Sequence, residues 1–151
     1  MSQSFTLQPL LDLMRDRTDA ATRQLGQLIA AEQNAKTRMQ MLEQYRAEYA
    51  ERLRLASESG MTRQVLANYQ DFLARIDEAI KQQAQLVKQS ANNTHRGQQH
   101  WQQQNSKLKA IDTLAVRHEK NEQKRQEKQE QKLLDEFSTR NFRAGKDQTG
   151  T

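Results

Sequence analysis

The sequence predicts an all-α fold, a long two-helix antiparallel coiled-coil hairpin with an overhanging C-terminal helix. Three observations predict it. Only 34% of the residues are hydrophobic, against about 45–50% in ordinary globular domains. The chain has one proline and five glycines, so little interrupts a helix. Its apolar residues recur with heptad spacing. A thick core around a buried catalytic cleft is therefore not expected.

The first predicted helix runs from about Thr6, a plausible N-cap, to about Leu55. Pro9 lies close enough to its start to fit the first turn. Eleven of fourteen a and d positions are apolar, over nearly seven heptads. The d positions are Leu7, Met14, Ala21, Leu28, Ala35, Leu42 and Tyr49, and the a positions are Leu11, Thr18, Leu25, Glu32, Met39, Arg46 and Leu53.

The best turn signal in the middle of the chain is Ser57-Glu58-Ser59-Gly60, which predicts a turn over about 56–61. The second predicted helix covers about 62–140, and its seam is more polar at d than at a. Its a positions are Leu66, Leu73, Ile80, Val87, Thr94, Trp101, Leu108 and Ala115, and its d positions are Tyr69, Ile76, Gln83, Ser90, Gly97, Gln104 and Ile111.

A short turn between two long helices predicts antiparallel pairing. We expect one domain over residues 1–142, with Leu7 opposite Leu108 and Tyr49 opposite Leu66. The pairing then leaves the end of the second helix without a partner.

That unpartnered end is highly charged. Residues 117–132 carry six basic and four acidic residues and no hydrophobic side chain, which predicts a solvated, overhanging helix. A small apolar cluster follows, and residues 143–151 are expected to form a disordered tail. The cluster consists of Leu133, Leu134, Phe137 and Phe142.

Catalysis and cofactor binding have little support. The chain has no cysteine and no glycine-rich phosphate loop. His118 and Glu122 share one helix face and could begin a metal site, but a third ligand is missing. We therefore expect no enzyme activity, no cofactor and no metal.

Composition also bears on compartment and partners. No apolar run approaches the roughly 20 residues that span a bilayer, and the N-terminus does not resemble a signal peptide. A cytoplasmic protein is expected. The net charge is +5, but basic and acidic residues are interspersed rather than gathered into the one-signed stripe that nucleic acid requires.

One flank of the predicted hairpin is apolar near the turn. In an antiparallel pair, g positions share one side and e positions the other. The g positions there are Arg38, Tyr45, Val65, Phe72, Ala79 and Leu86, whereas the e positions include Lys36, Glu43, Gln70 and Asp77. Such a stripe predicts a docking surface. The alternative is that the aromatic residues only thicken the seam.

Two central segments resemble the flagellar FliJ family, and the resemblance covers about residues 5–140. The segments are Met41-Leu42-x-x-Tyr45-x-x-Glu48-Tyr49 and Asn68-Tyr69-Gln70-x-Phe72-Leu73-x-x-Ile76-x-x-Ala79-Ile80. The resemblance implies a non-catalytic coiled coil, similar to the central stalk of rotary ATPases. It implies a motility protein that binds and promotes assembly of the export ATPase FliI, connects it to the export gate protein FlhA and escorts export chaperones. Membrane association would be peripheral, through the export apparatus.

The resemblance further implies a gate-facing surface on the middle of the hairpin. Some relatives have glutamine where Arg38 stands, and Ile76 and Gln83 depart from leucine and histidine known in relatives. The implied gate residues are Arg38, Leu42, Tyr45, Tyr49, Phe72, Ile76, Ala79 and Gln83.

By analogy with a rotary stalk, the end that bears both termini would enter the ATPase ring. The overhang, about 108–137, would enter with it, since interspersed charges could slide within a polar ring. The residues expected to contact the ATPase are Leu7, Leu11, Arg15, Leu108 and Ile111.

Other interpretations stay open at this point. The chain could be a structural scaffold or tether that dimerises through the spare helix. It could also be the equivalent stalk of a virulence type III secretion system. A basic coiled coil that binds nucleic acid is the most distant alternative.

Overall fold

A computed structural model of the chain describes residues 4–149, with side chains described to residue 146. The described chain consists of two helices and no strand. Helix α1 spans Gln8–Glu58 and helix α2 spans Arg63–Thr149, with lengths of 51 and 87 residues. They pack against each other in antiparallel directions, which confirms the predicted fold class.

The turn between the helices is short and has a clear chemical basis. Gly60 has a φ of 86°, a left-handed conformation that glycine adopts without steric cost. The backbone N–H of Ser59 donates to the Leu55 carbonyl at 3.2 Å and closes α1. The Val65 N–H donates to the Thr62 hydroxyl at 3.3 Å, so Thr62 caps α2.

The last residues of the chain correct one expectation. We expected residues 143–151 to be a disordered tail, but α2 continues through Thr149; residues 150 and 151 lie outside the described part. No proline interrupts this stretch. Lys146 lies in the last turn, where a cation favours the helix dipole, and its Nζ lies 5.4 Å from the Phe142 ring centroid.

The chain divides into two compact units. One takes in Thr18–Gln104, and the other combines Met1–Arg17 with Asn105–Thr151, of which residues 4–17 and 105–149 are described. In each unit a segment of α1 packs against a segment of α2. The expectation of a single domain over 1–142 stays a prediction.

The heptad seam is confirmed in both units. Every predicted a and d position of α2 is buried or half-buried; in the first segment only Leu7, just before α1, and Arg46 are exposed. The core is nevertheless thin. In the described chain, the hydrophobic residues with less than a tenth of their surface exposed are Leu11, Met14, Ala21 and Ile76.

Polar side chains occupy several positions of the seam in the Thr18–Gln104 unit. Gln83 donates from its amide to the Ala35 carbonyl at 2.9 Å, and the Trp101 indole donates to the Thr22 hydroxyl at 2.9 Å. Such bonds reduce the cost of burying polar groups and favour one register. Gln104 differs from these residues, because its buried side-chain oxygen has no hydrogen-bond partner in the described part of the chain.

A charged side chain also enters this seam. Glu32 is at an a position, and its carboxylate lies 3.3 Å from the Lys36 ammonium. Hydrogen bonding to the Thr94 hydroxyl, and then to Lys36, holds the pKa of Glu32 below its ordinary value. The Thr94 hydroxyl also lies 3.2 Å from the Leu28 carbonyl oxygen.

The pairing register differs from the predicted one. In the Thr18–Gln104 unit, Tyr49 packs on Tyr69 and Phe72 rather than opposite Leu66. The expectation was wrong because α1 continues to Glu58, beyond its predicted end. Moving the turn toward the C-terminus shifts every pairing partner further along α2.

The other unit shows the same shift. There the Phe5 ring lies 5.5 Å from the His118 ring, and Arg15 lies 3.8 Å from the Asp112 carboxylate. The predicted pairing of Leu7 with Leu108 is therefore displaced as well. Beyond this contact, every residue from 123 to 146 is exposed, which confirms the overhanging helix.

Gly97 marks a close approach of the two helices. A Cβ atom built at this position would lie 2.7 Å from Leu28 Cδ1 and 3.5 Å from Leu25 Cδ1. At Gly26, by contrast, a Cβ atom would meet nothing within 4 Å. Gly97 therefore has no room for a side chain in the present packing, whereas Gly26 faces open space and serves as its control.

We expect Gly97→Leu to lower the free energy of unfolding by about 1–3 kcal/mol, because the added side chain overpacks the seam. Gly26→Leu should instead raise it, by up to about 1 kcal/mol, because leucine is the better helix former. Urea unfolding followed by circular dichroism measures both. Equal changes of the same sign would contradict the close approach at Gly97.

Candidate docking surface

Four aromatic side chains cluster near the turn, within the Thr18–Gln104 unit. The ring of Tyr49 lies 4.2 Å from that of Phe72 and 5.6 Å from that of Tyr69. Tyr45 extends the cluster outward, with its ring 6.0 Å from Phe72 in an edge arrangement. The predicted sharing of one flank by Tyr45 and Phe72 is thus confirmed.

The two flanks of this region differ in chemistry. The flank with Tyr45 and Phe72 also presents the exposed side chains of Val65 and Leu86. The other flank carries an ion pair in which Arg46 donates to the Asp77 carboxylate, with a second contact at 3.4 Å. That hydrogen bond, and the charge of Arg46, lower the pKa of Asp77. One side is therefore apolar and half-open, and the other is charged.

The predicted gate residues fall into two groups. Tyr45 is 46% exposed and Arg38 is exposed as well. The half-buried members are Leu42, Tyr49, Phe72 and Ala79. These six residues could contact a partner without separating the helices.

Ile76 and Gln83 form the second group, whose side chains are buried. Ile76 is 5% exposed and Gln83 is 9% exposed. Both lie in the contact between the helices, where Gln83 donates to the Ala35 carbonyl. Little of either side chain is accessible to a partner while the helices stay paired, and their role in gate binding stays a prediction.

The structure adds a groove whose lining only partly overlaps the implied gate residues. An open groove of about 360 Å³ lies beside the aromatic cluster. It is lined by Tyr49, Val65, Asn68, Tyr69 and Phe72. Val65 is a g position, and the heptad pattern had already placed it on the apolar flank. We call the exposed and half-buried members of both sets, with Leu86, the aromatic flank.

The residues expected to contact the ATPase lie in the other unit. Leu7 is 37% exposed, whereas Leu11 is 3% exposed and belongs to the core. Arg15 lies 3.8 Å from Asp112, and Leu108 and Ile111 are half-buried. Leu7 and Arg15 are therefore the accessible members of this set.

The possible metal pair is engaged in other contacts. His118 lies against the Phe5 ring, and the Glu122 carboxylate lies 3.7 Å from Arg125. Within residues 4–149 there is no group of three side chains that could hold a metal ion. In the same residues, no helix is long and apolar enough to cross a membrane.

Fold and surface together define a class of protein, a two-helix antiparallel coiled coil with an apolar, aromatic flank near its turn. A sequence model of the family described as "Flagellar FliJ protein" matches residues 3–147. The chain therefore belongs to the flagellar FliJ family, whose members are components of flagellar protein export.

Individual relatives agree with this assignment. The chain is 29% identical over 140 residues to the flagellar FliJ protein of Salmonella typhi. It has the same identity, over the same length, to the flagellar FliJ protein of Escherichia coli strain K12. Each match covers 93% of this chain and 95% of the relative.

The aromatic cluster predicts different roles for two tyrosines. We expect Tyr49→Ala to lower the free energy of unfolding by about 2 kcal/mol, because Tyr49 packs between Phe72 and Tyr69. Tyr45→Ala should cost less than about 1 kcal/mol, since Tyr45 is the outermost ring. Thermal unfolding of the two variants tests this. A larger loss for Tyr45→Ala would contradict the described packing.

Proposed function

We propose that this chain is a non-catalytic stalk of the flagellar export apparatus. It binds the export ATPase FliI and promotes its ring assembly, links the ring to the export gate protein FlhA, and escorts export chaperones. It associates with the membrane only peripherally, through that apparatus. Membership of the FliJ family supports the flagellar assignment over a virulence secretion system.

The observation that carries the proposal is the exposure of the aromatic flank. Tyr45 leaves 46% of its surface in solvent, and Val65 leaves 40%. Aromatic side chains dominate the energetics of protein interfaces, because they bury much area at little entropic cost. Tyr49 and Phe72 stabilise the fold by packing on each other, but the exposed parts of Tyr45 and Val65 add apolar surface of the kind that marks interaction sites.

The geometry suggests how a partner would bind there. A hydrophobic side chain of the gate protein could enter the groove between Val65 and Tyr69. The Tyr45 ring would close one edge of the contact, and its hydroxyl could stay at the polar rim. The Arg38 guanidinium, also exposed, could then pair with an acidic group of the gate protein.

Gate binding can be tested with a single exposed ring. We expect Tyr45→Ala to weaken binding to FlhA at least about tenfold, measured by isothermal titration calorimetry. Phe142→Ala serves as the control, because Phe142 is another exposed aromatic residue, at 68%, far along α2. Unchanged affinity in Tyr45→Ala, with helicity retained, would reject the gate assignment.

The ATPase end is proposed on different grounds. Both described ends of the chain lie in the unit that contains residues 4–17 and 105–149. All side chains from 123 to 146 are exposed there, with charges of both signs. A helix without a fixed partner leaves its whole circumference free to contact a ring of subunits.

Addition of the chain to FliI should raise the rate of ATP hydrolysis and the hexamer fraction together. Leu7→Ala should reduce both effects, because Leu7 is accessible, at 37% exposed. Leu13→Ala is the matched control, a leucine of the same unit that is 43% exposed and outside the proposed contact. If saturating wild-type protein changes neither quantity, the ATPase role is wrong.

A further inference from the structure

A compact apolar patch lies on the overhanging part of α2. Leu133, Leu134 and Phe137 are 65%, 61% and 63% exposed, so each leaves most of its surface in water. Phe142 is separate, because Lys146 lies over its ring. The patch lies in the other compact unit from the aromatic flank, and the proposed gate contact does not use it.

The patch is bounded by opposite charges. Glu130 lies one turn before it and Arg140 one turn after it, and both line the same shallow groove as the apolar residues. The spacing 130, 133, 137, 140 is three, four and three residues, which keeps these side chains on one helix face. Within the described residues neither Glu130 nor Arg140 forms an ion pair.

This face is complementary to itself. Reversing the helix about residue 135 places Leu133 opposite Phe137 and Glu130 opposite Arg140. The superposition therefore brings apolar groups onto apolar groups and each acid onto a base. An interface of this kind is isologous, with the same residues contributed by both subunits around a two-fold axis.

We propose that the patch is a docking site for a second copy of this chain, paired antiparallel through residues 130–140. Two copies would bury a core of two Leu133 and two Phe137 side chains. Two Glu130–Arg140 pairs would close its ends, and the Leu134 side chains would meet beside it. This proposal does not depend on the proposed export function.

The pairing is expected to be weak. Stable interfaces bury roughly 800 Å² on each partner, and three large apolar side chains on a single helix supply only part of that. Glu136 lies at the edge of the patch, where it would approach its own copy and oppose the contact. The dimer should therefore be a weak one that forms only at high protein concentration.

The test is sedimentation equilibrium of the full chain at low ionic strength. Glu130→Arg and Arg140→Glu should each raise the dimer dissociation constant at least about fivefold, because each places like charges opposite one another. The double variant restores opposite pairs and should return the constant to within about twofold of wild type. Glu136→Gln should tighten the dimer.

Two further variants make the result decisive. Phe137→Ser should abolish the dimer without loss of helicity, because Phe137 is exposed. Lys128→Glu is the control, an exposed charge reversal that points away from the patch. A wild-type chain that stays monomeric at the highest concentration would overturn the proposal. So would a dimer that the single charge reversals leave unchanged. Either failure leaves the ATPase and gate experiments unaffected.

Discussion

The structure depends on the burial of one narrow stripe on each helix against the other. Neither helix has a core of its own. Helices are only marginally stable in water when isolated, and in proteins most of their stability comes from packing of an amphipathic face. That stripe includes small, polar and charged groups. Gly97 brings the helices together, and Gln83 and Thr94 reach carbonyl groups across the contact. These polar contacts compensate for a thin apolar core and favour one register over its neighbours.

The narrowness of the buried stripe also explains where binding surfaces arise. A side chain at a seam position is covered by the opposite helix, whereas one at a flank position is covered only in part. Tyr45 and Val65 are flank residues, and both remain open. Where the partner helix is absent, as at Phe137, even a large apolar side chain stays in solvent. Both proposed docking sites therefore lie where the opposite helix covers the apolar side chains only in part or not at all.

Much of the fold was predictable because heptad spacing identifies the residues that face the partner helix. The register was not, because the pattern repeats every seven residues and only the turn sets the offset. The turn was predicted over about 56–61, but α1 continues to Glu58 and α2 begins at Arg63. The end of α2 was also missed. A charged sequence such as residues 143–149 looks like a tail, yet it contains no proline, and Gly145 by itself does not end α2.

The candidate site was predictable in its location and less so in its membership. Heptad reasoning placed Tyr45 and Phe72 on one flank, and their rings are in contact. The family resemblance added Ile76 and Gln83, which are d positions and buried. A motif identifies positions along the chain, but exposure depends on how far the partner helix covers each one. Leu42 and Tyr49 are d positions too, and they are only half-buried.

The thinness of the core also bears on how such a sequence can diverge. Most positions of α1 and α2 are exposed, so a substitution there that keeps the helix has little effect on folding. The remaining seam positions require a suitable size more than a particular residue. An identity of 29% with relatives along nearly the whole chain is thus compatible with an unchanged architecture.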